Sequence, residues 1–361
     1  MPIKMDIREN ILIDGSYVSM EEAASYATKV SLAVQQINAD LEAKAQENAD
    51  ELGNFEYEQF VPSDSEIMLA MALIAFKENQ CALCVIESDH NKPDPSKFLP
   101  TPFAAIICGT IPSGNKKEIS KIRSYISRGI QEIVSAPQNE DAYRIISDTC
   151  VSVGCRLTLP TMSRLTVERL ALKATDFSYK DLSYSMKLCG RFELINAAVA
   201  LESFDMLCRR GYNISYENVK NGLAKLSIPT KFEILSSTPY IIADSTHKPV
   251  AIEIVCDSMT DFKDITGTKV RLCLPDGEII QNYVNALTSR GYTIESIITV
   301  SESENGIIED LQDIEKKAVK SYKLAAKEAV KELEADTILL ISGPYSFTSE
   351  VRYEVLAILN F

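Results

Sequence analysis

The chain has 361 residues, with 37 Lys+Arg against 51 Asp+Glu and a net charge of −14; at roughly 150 residues per domain this length predicts two domains. With 46% hydrophobic and 24% charged residues the composition is ordinary and globular, which excludes global disorder and a coiled-coil rod. The acidic balance argues against nucleic acid or an anionic membrane as main partner, since both reward clustered Lys and Arg, and no apolar run approaches the ~20 residues that span a bilayer.

The opening Met1-Pro2-Ile3-Lys4-Met5-Asp6 has no apolar signal core, so nothing there marks the chain for export. Nine cysteines is an odd number, and Cys84, Cys108 and Cys273 sit in apolar runs. They read as small buried hydrophobes, reduced in a cytoplasmic protein. Only two histidines are present, His90 and His247, so a mechanism built on two or three cooperating imidazoles is nearly excluded.

In chain order, Ser19 to about Gly53 reads as a long polar-faced helix and Ser63 to Asn79 as an apolar one. Ala82–Ile86 reads as a buried strand ending at Glu87, and Ala104–Cys108 as a second. Lys116–Gly129 and Glu140–Gly154 read as helices with the short run Glu132–Ser135 between them. Residues 155–189 look like short antiparallel strands and turns. Gly190 then opens a strong helix over 191–209, closed by Arg209-Arg210-Gly211, basic residues before a glycine stop. Ile228-Pro229-Thr230-Lys231 interrupts the pattern as a linker, and the domain boundary is expected near 235. Beyond it, the runs at 240–243, 269–274, 296–300 and 337–342 are short, apolar and β-branched, and helical spacing separates them. In the third intervening segment Val319, Tyr322, Ala326, Val330 and Leu333 share one helical face. Strands alternating with helices in this way predict a mostly parallel sheet covered on both sides.

Several residues could carry chemistry. Asp244-Ser245-Thr246-His247-Lys248-Pro249 follows the 240–243 strand, where open α/β sheets place ligands and the next helix offers its amides to a phosphate. Asp244 and His247 there either serve a nucleotide or are a helix cap and an incidental histidine. Glu87 ends a strand, where a carboxylate can hold Mg²⁺ beside a nucleotide; its neighbours Asp89, His90 and Asp94 are alternatively a solvated acidic loop. Gly109-Thr110-Ile111-Pro112-Ser113-Gly114-Asn115-Lys116 lacks the Gly-Lys-Ser/Thr order of a phosphate loop and reads as a polar turn. Cys81 and Cys84 have the spacing of a thiol pair, but a strand would turn them to opposite faces, so they read as core. Asn196, in an Ala-rich helix, is either an anchor to a neighbour or a ligand-reading amide.

Five segments, in order, resemble the folylpolyglutamate synthase and dihydrofolate synthase family of the Mur ligase superfamily. They are Arg8–Ser19 (family R-E-R-I-x-I-N-G-x-x-I-S), Gly190–Ala200 (G-x-H-Q-x-x-N-A-x-x-A), Ile228–Glu233 (W-P-G-R-x-E), Asp244–Pro249 (D-G-A-H-N-P), and Ile341–Tyr345 with Glu350-Val351-Arg352 (T-G-S-x-Y…E-V-R). The resemblance runs from about Arg8 to the C-terminus. It implies an α/β protein: a Mur-ligase-type central domain over 1–234, truncated at its N-terminus, then a Rossmann-like glutamate-ligase domain over 235–361. The family reaction it implies is ATP-dependent amide ligation of L-glutamate to a folate or pteroate, with Mg²⁺ and ATP as cofactors.

Carried over by position, the resemblance gives Glu87 as metal ligand, Asn196 at the adenine, Lys231 on the linker, Asp244 and His247 beside the phosphates as catalytic residues, and Glu66 at an acidic helix start. It also exposes departures. The family phosphate loop T-x-G-K-G-S should precede the Arg8 segment and is absent from these 361 residues. The glycine-rich loop after Glu87 is replaced by Ser88–Lys97, and the metal-site G-L-D-H by about Thr110–Ser113. The family's carbamylated lysine falls near Arg123, and Phe192 and Glu193 stand where it has His and Gln, Thr230 and Lys231 where it has Gly and Arg. The expectation is therefore a degenerate member without independent ligase activity, acting as a binding or partner subunit, with folate and glutamate as candidate small molecules and a protein partner or a homo-oligomer as assembly. The alternative is a working ligase that takes its phosphate loop from a partner chain or from upstream residues. A third expectation is a scaffold that dimerises through the sheet edge left by the missing strand.

Overall fold

The computed structural model describes residues 10–47, 57–87, 104–111, 114–127, 129–171, 174–188, 190–261, 269–301 and 314–359. The chain packs as two compact units, one of Met1–Ala105, Ile111–Glu132 and Asn139–Arg156, the other of Ile106–Thr110, Ile133–Gln138 and Leu157–Phe361.

The first described elements are a hairpin, β1 (Leu12–Ile13) and β2 (Ser16–Tyr17). Its two-residue loop, Asp14-Gly15, takes positive φ at both positions, as tight hairpins require. Helix α1 (Met20–Glu47) starts where Ser19 and Glu22 bond each other's backbone N–H, and α2 (Asp64–Glu78) starts on the same reciprocal box between Ser63 and Glu66. Ile11, Val18, Ala23, Tyr26, Val30, Met71 and Ala75 form their shared core. Then come β3 (Ala104–Ile107), α3 (Lys116–Ser127), β4 (Glu132–Ser135), α4 (Glu140–Val153) and β5 (Arg156–Thr158), with the strands in a sheet of order β3-β4-β5.

The meander β6 (Leu165–Ala171), β7 (Ala174–Tyr179) and β8 (Leu182–Met186) follows. It packs its inner face, through Phe177, Tyr179, Tyr184 and Met186, on Leu194, Ala197, Ala198 and Leu201 of α5 (Arg191–Arg209) and on Leu223 of α6 (Tyr216–Lys225). A six-stranded sheet completes the chain, in order β13-β12-β11-β14-β10-β9. Its strands are β9 (Glu233–Ser237), β10 (Tyr240–Asp244), β11 (Lys269–Pro275), β12 (Thr293–Val300), β13 (Glu315–Val319) and β14 (Thr337–Ser342). All neighbours pair parallel except β9, which runs antiparallel to β10 at the edge. Helices α7 (Pro249–Asp261) and α8 (Ile279–Thr288) cover one face through Ile252, Val255, Met259, Tyr283 and Leu287. The other face is covered by α9 (Tyr322–Val330) and α10 (Tyr345–Leu359), through Ala325, Ala326, Ala329, Phe347 and Val351.

Four expectations are corrected. Ala82–Ile86 carries no strand, because apolar composition makes a strand only where a neighbour supplies a ladder, and no described ladder includes it. Val85 is 77% exposed and Glu87 is exposed. Cys84 and Cys108 are exposed rather than core residues, and Cys81 is half-buried. Val319 ends β13 instead of sharing the helical face of α9. Its helical spacing is matched equally well by a short strand leading into a helix capped by Ser321. The segments Arg8–Glu9, Ser88–Lys97 and Pro112–Ser113 lie outside the described residues.

Candidate functional site

The second unit gathers four of the five predicted site residues around the C-terminal end of β10. Asp244 closes that strand, is 3% exposed, and has Ser342 of β14 as its register partner. Its Oδ2 accepts the Phe232 N–H at 2.8 Å and its Oδ1 the Thr246 N–H at 2.9 Å. Ser245 N–H donates to the Thr230 carbonyl at 2.7 Å. One carboxylate thus ties the segment before β9 to the loop after β10.

That segment is held in an unfavourable backbone. Thr230 has φ 59° and Phe232 φ 45°, left-handed values that a β-branched or aromatic residue rarely adopts. A second carboxylate compensates. Glu233 accepts the Thr230 N–H at 2.9 Å, and Arg352 of α10 donates to it through Nε at 2.5 Å and a terminal guanidinium nitrogen at 2.6 Å. This bidentate fork fixes geometry as well as charge. Glu233 and Arg352 were legible only as motif letters; their opposite charges, 119 residues apart, were the available signal for the clamp.

The neighbouring strand ends are closed by hydroxyls. Ser342 Oγ donates to the Thr246 carbonyl at 2.8 Å and lies 2.6 Å from the Tyr283 hydroxyl in a shared hydrogen bond. Gly343 follows at φ 154°, where an added Cβ would sit 2.7 Å from Pro275 Cδ, so only glycine lets the end of β14 approach the end of β11.

On α5, Glu193 is 7% exposed and accepts from Asn196 Nδ2 at 3.1 Å. Asn196 itself is exposed. Burial pushes the Glu193 carboxyl up, opposed by the Asn196 hydrogen bond and the Lys231 charge. Burial likewise raises Asp244, against its N–H donors and Lys231. Lys231 is therefore the cation that both buried acids feel, and it stands exposed on the segment they hold. A cavity of about 550 Å³ adjoins it, lined among others by Lys187, Leu188, Phe232 and Glu233. That volume lies within the usual range for a small-molecule cleft, roughly 300–1,000 Å³.

Not everything expected to act together does so. His247 is exposed just ahead of α7 and shares no hydrogen bond with Asp244, both of whose oxygens are occupied by backbone N–H groups. Glu87, in the first unit, is exposed at the edge of the undescribed 88–103 stretch. Among the described residues no three His, Cys, Asp or Glu side chains are placed to hold a metal ion. Glu66 is spent on its cap, accepting from both Ser63 N–H and Ser63 Oγ at 2.8 Å. The 109–111 segment is tied to residues 137–139. Gln138 Nε2 donates to the Gly109 carbonyl at 2.8 Å, Thr110 Oγ1 to the Pro137 carbonyl at 2.7 Å, and Asn139 Nδ2 to the Ile111 carbonyl at 2.6 Å.

No family model matches the chain. A dihydrofolate synthase/folylpolyglutamate synthase of Bacillus subtilis is 23% identical over 378 residues, covering 97% of this chain and 82% of that protein. Among solved structures, a folylpolyglutamate synthase of Thermotoga maritima superposes with a TM-score of 0.71 at 17% identity, over 96% of this chain and 79% of that one. The Mycobacterium tuberculosis folylpolyglutamate synthase, solved with ADP and AMPPCP, gives 0.67 at 15% identity, over 97% and 82%. In fold the chain is thus the mixed α/β, Mur-ligase-type architecture of these synthases, and no described helix is long and apolar enough to cross a membrane. Its curated and structural neighbours point to the folylpolyglutamate synthase/dihydrofolate synthase family of the Mur ligase superfamily.

Proposed function

We propose that the chain is a folylpolyglutamate synthase-like protein that keeps a nucleotide-binding face and does not ligate on its own. In this reading residues 1–234 are the central domain and 235–361 the glutamate-ligase-like domain. Asn196 reads the base, Lys231 meets the phosphates, Asp244 holds the linker, and His247 stands over the N-terminus of α7, where backbone amides favour an anion. Those α7 amides and Lys231 are anion donors in the second unit. ATP bound there would supply the activating phosphoryl group of the family reaction, and a folate and glutamate are the candidate small molecules.

The observation that carries the proposal is the pairing of exposed Lys231 and exposed Asn196 with the two buried acids beneath them. The loss of catalysis is supported by the sequence at about Thr110–Ser113, which has no histidine where the family pattern has G-L-D-H. Arg123, near the position of the carbamylated lysine, cannot be carbamylated in the same way. Such a protein acts as a binding subunit, with a protein partner or a second copy, in the cytoplasm. The test is calorimetric titration of the purified chain with Mg-ATP, with and without a folate, beside an assay for ATP hydrolysis. Binding heat without folate- and glutamate-dependent turnover is expected. Turnover would overturn the loss of catalysis, and no heat in either titration would overturn the nucleotide face.

A further inference from the structure

The C-terminus of α4 carries two thiols in one turn. Gly154 follows the helix at φ 70°. Cys155 N–H donates to the Cys150 carbonyl at 2.8 Å and Gly154 N–H to the Val151 carbonyl at 3.3 Å. These six-to-one and five-to-two bonds make a Schellman turn, in which the residues at Cys150 and Cys155 ordinarily meet in an apolar contact. Here both are cysteines, 1% and 8% exposed, and the Cys155 thiol lies 3.8 Å from the Arg156 carbonyl.

The backbone alone brings them within bridging distance. With N–Cα at about 1.46 Å and a carbonyl oxygen about 2.4 Å from its own Cα, the 2.8 Å bond caps the Cα separation at about 6.7 Å. A disulfide spans roughly 4.4–6.8 Å. By contrast, the Cys-X-X-Cys pair Cys81 and Cys84 has no such turn: Cys81 N–H bonds to Phe76 and Cys84 stands exposed.

We propose that Cys150 and Cys155 are an oxidative modification site, a dithiol that a small disulfide such as oxidised glutathione closes into an intramolecular bridge without unwinding α4. Cys155, the more exposed, is the entry thiol. Its thiolate attacks one sulfur of RS–SR and expels RS⁻, which takes up a proton. The Cys150 thiolate then attacks Cys155 Sγ and expels the second RS⁻. Two electrons and two thiol protons leave the protein, and one RS–SR becomes two RSH. Burial raises both thiols, Cys150 to about 12, so little thiolate is present at neutral pH and the exchange is slow.

Arg144 and Arg156 flank the pair, so one tryptic peptide, Ile145–Arg156, holds both cysteines and no other. The native 361-residue chain is incubated with oxidised glutathione, alkylated and mapped by mass spectrometry. The expected product is that peptide lighter by two hydrogens and unalkylated. Cys150→Ser should instead trap a glutathione adduct on Cys155, and Cys155→Ser should leave Cys150 alkylatable. If the wild-type peptide stays fully alkylatable after exposed Cys84, Cys108 and Cys208 have reacted, or bridges only after urea unfolding, the proposal is overturned.

Discussion

Thr230 combines two unfavourable features in one residue: a left-handed backbone at φ 59° and a hydroxyl that is buried with no hydrogen-bond partner. A β-branched residue at that φ costs about 1–2 kcal/mol, and the orphan hydroxyl adds to this. Thr230→Gly removes both, against roughly 0.5–1 kcal/mol of extra chain entropy. The variant should gain about 1 kcal/mol, read as a higher urea midpoint at unchanged slope; a lower midpoint would mean the threonine methyl packs more than it strains. Glu193 gives a pH-dependent prediction. Its carboxyl is raised by burial, so the folded state binds its proton more tightly than the unfolded state does. That contribution to stability is complete below the unfolded carboxylate pKa, near 4.3, and disappears as pH climbs through the higher folded value. Glu193→Gln has no charge to bury, so its advantage over wild type should be small at pH 4 and reach roughly 1–3 kcal/mol by pH 8. Thermal melts of both proteins across that range check it, and an offset that does not change with pH would refute the cause.

Gly343 and Arg271 show how elements are fastened. Gly343→Ala would drive a Cβ to 2.7 Å from Pro275 Cδ at a φ of 154°. Separating β14 from β11 to make room should cost at least about 2 kcal/mol, measurable by denaturant unfolding. Arg271, buried on β11, donates through Nη1 to the Ala329 and Lys331 carbonyls at 3.1 and 2.6 Å, and pairs with Glu295 at 3.1 Å. It closes the open end of α9 where a glycine would usually do so, and Arg271→Ala should lose about 3 kcal/mol in the same assay. Helices and buried parallel strands were readable in advance because their period and β-branched runs are local properties. Hence α4, α5, β10, β11 and β14 fall close to their expected limits. Edge elements were not, since β9 and β13 alternate polar and apolar residues weakly and exist by virtue of the strands they join. The failed strand at 82–86 is the same lesson with the sign reversed. For the site, Asp244, Asn196 and Lys231 were legible as residues. The carboxylate clamps on the Thr230–Glu233 segment were not, because Glu233 and Arg352 meet only through the long-range fold.

At the scale of the whole molecule the proposed function asks which half of an ATP-dependent ligation these residues serve. Binding a nucleotide needs a base reader and a phosphate cation on a rigid frame, and under the proposed function β10, α5 and the clamped segment supply one. Transferring phosphate needs charge neutralisation at the γ-phosphate by an amide nest, a lysine and metal, whereas the Gly109 and Ile111 carbonyls and the Thr110 hydroxyl are tied to residues 137–139. Binding and turnover should therefore separate under mutation. Lys231→Ala should weaken Mg-ATP binding by about tenfold, near 1.4 kcal/mol, and Asn196→Ala should weaken ATP while leaving inorganic triphosphate untouched, because the amide meets the base alone. Lys231→Arg should hold affinity, since Arg keeps the charge and adds a second donor. Calorimetry on the four proteins measures each arm. If Lys231→Ala and Asn196→Ala bind Mg-ATP as the wild type does, the nucleotide lies elsewhere on the chain. If instead the wild type turns over with folate and glutamate and Lys231→Ala abolishes it, the frame carries catalysis as well as binding.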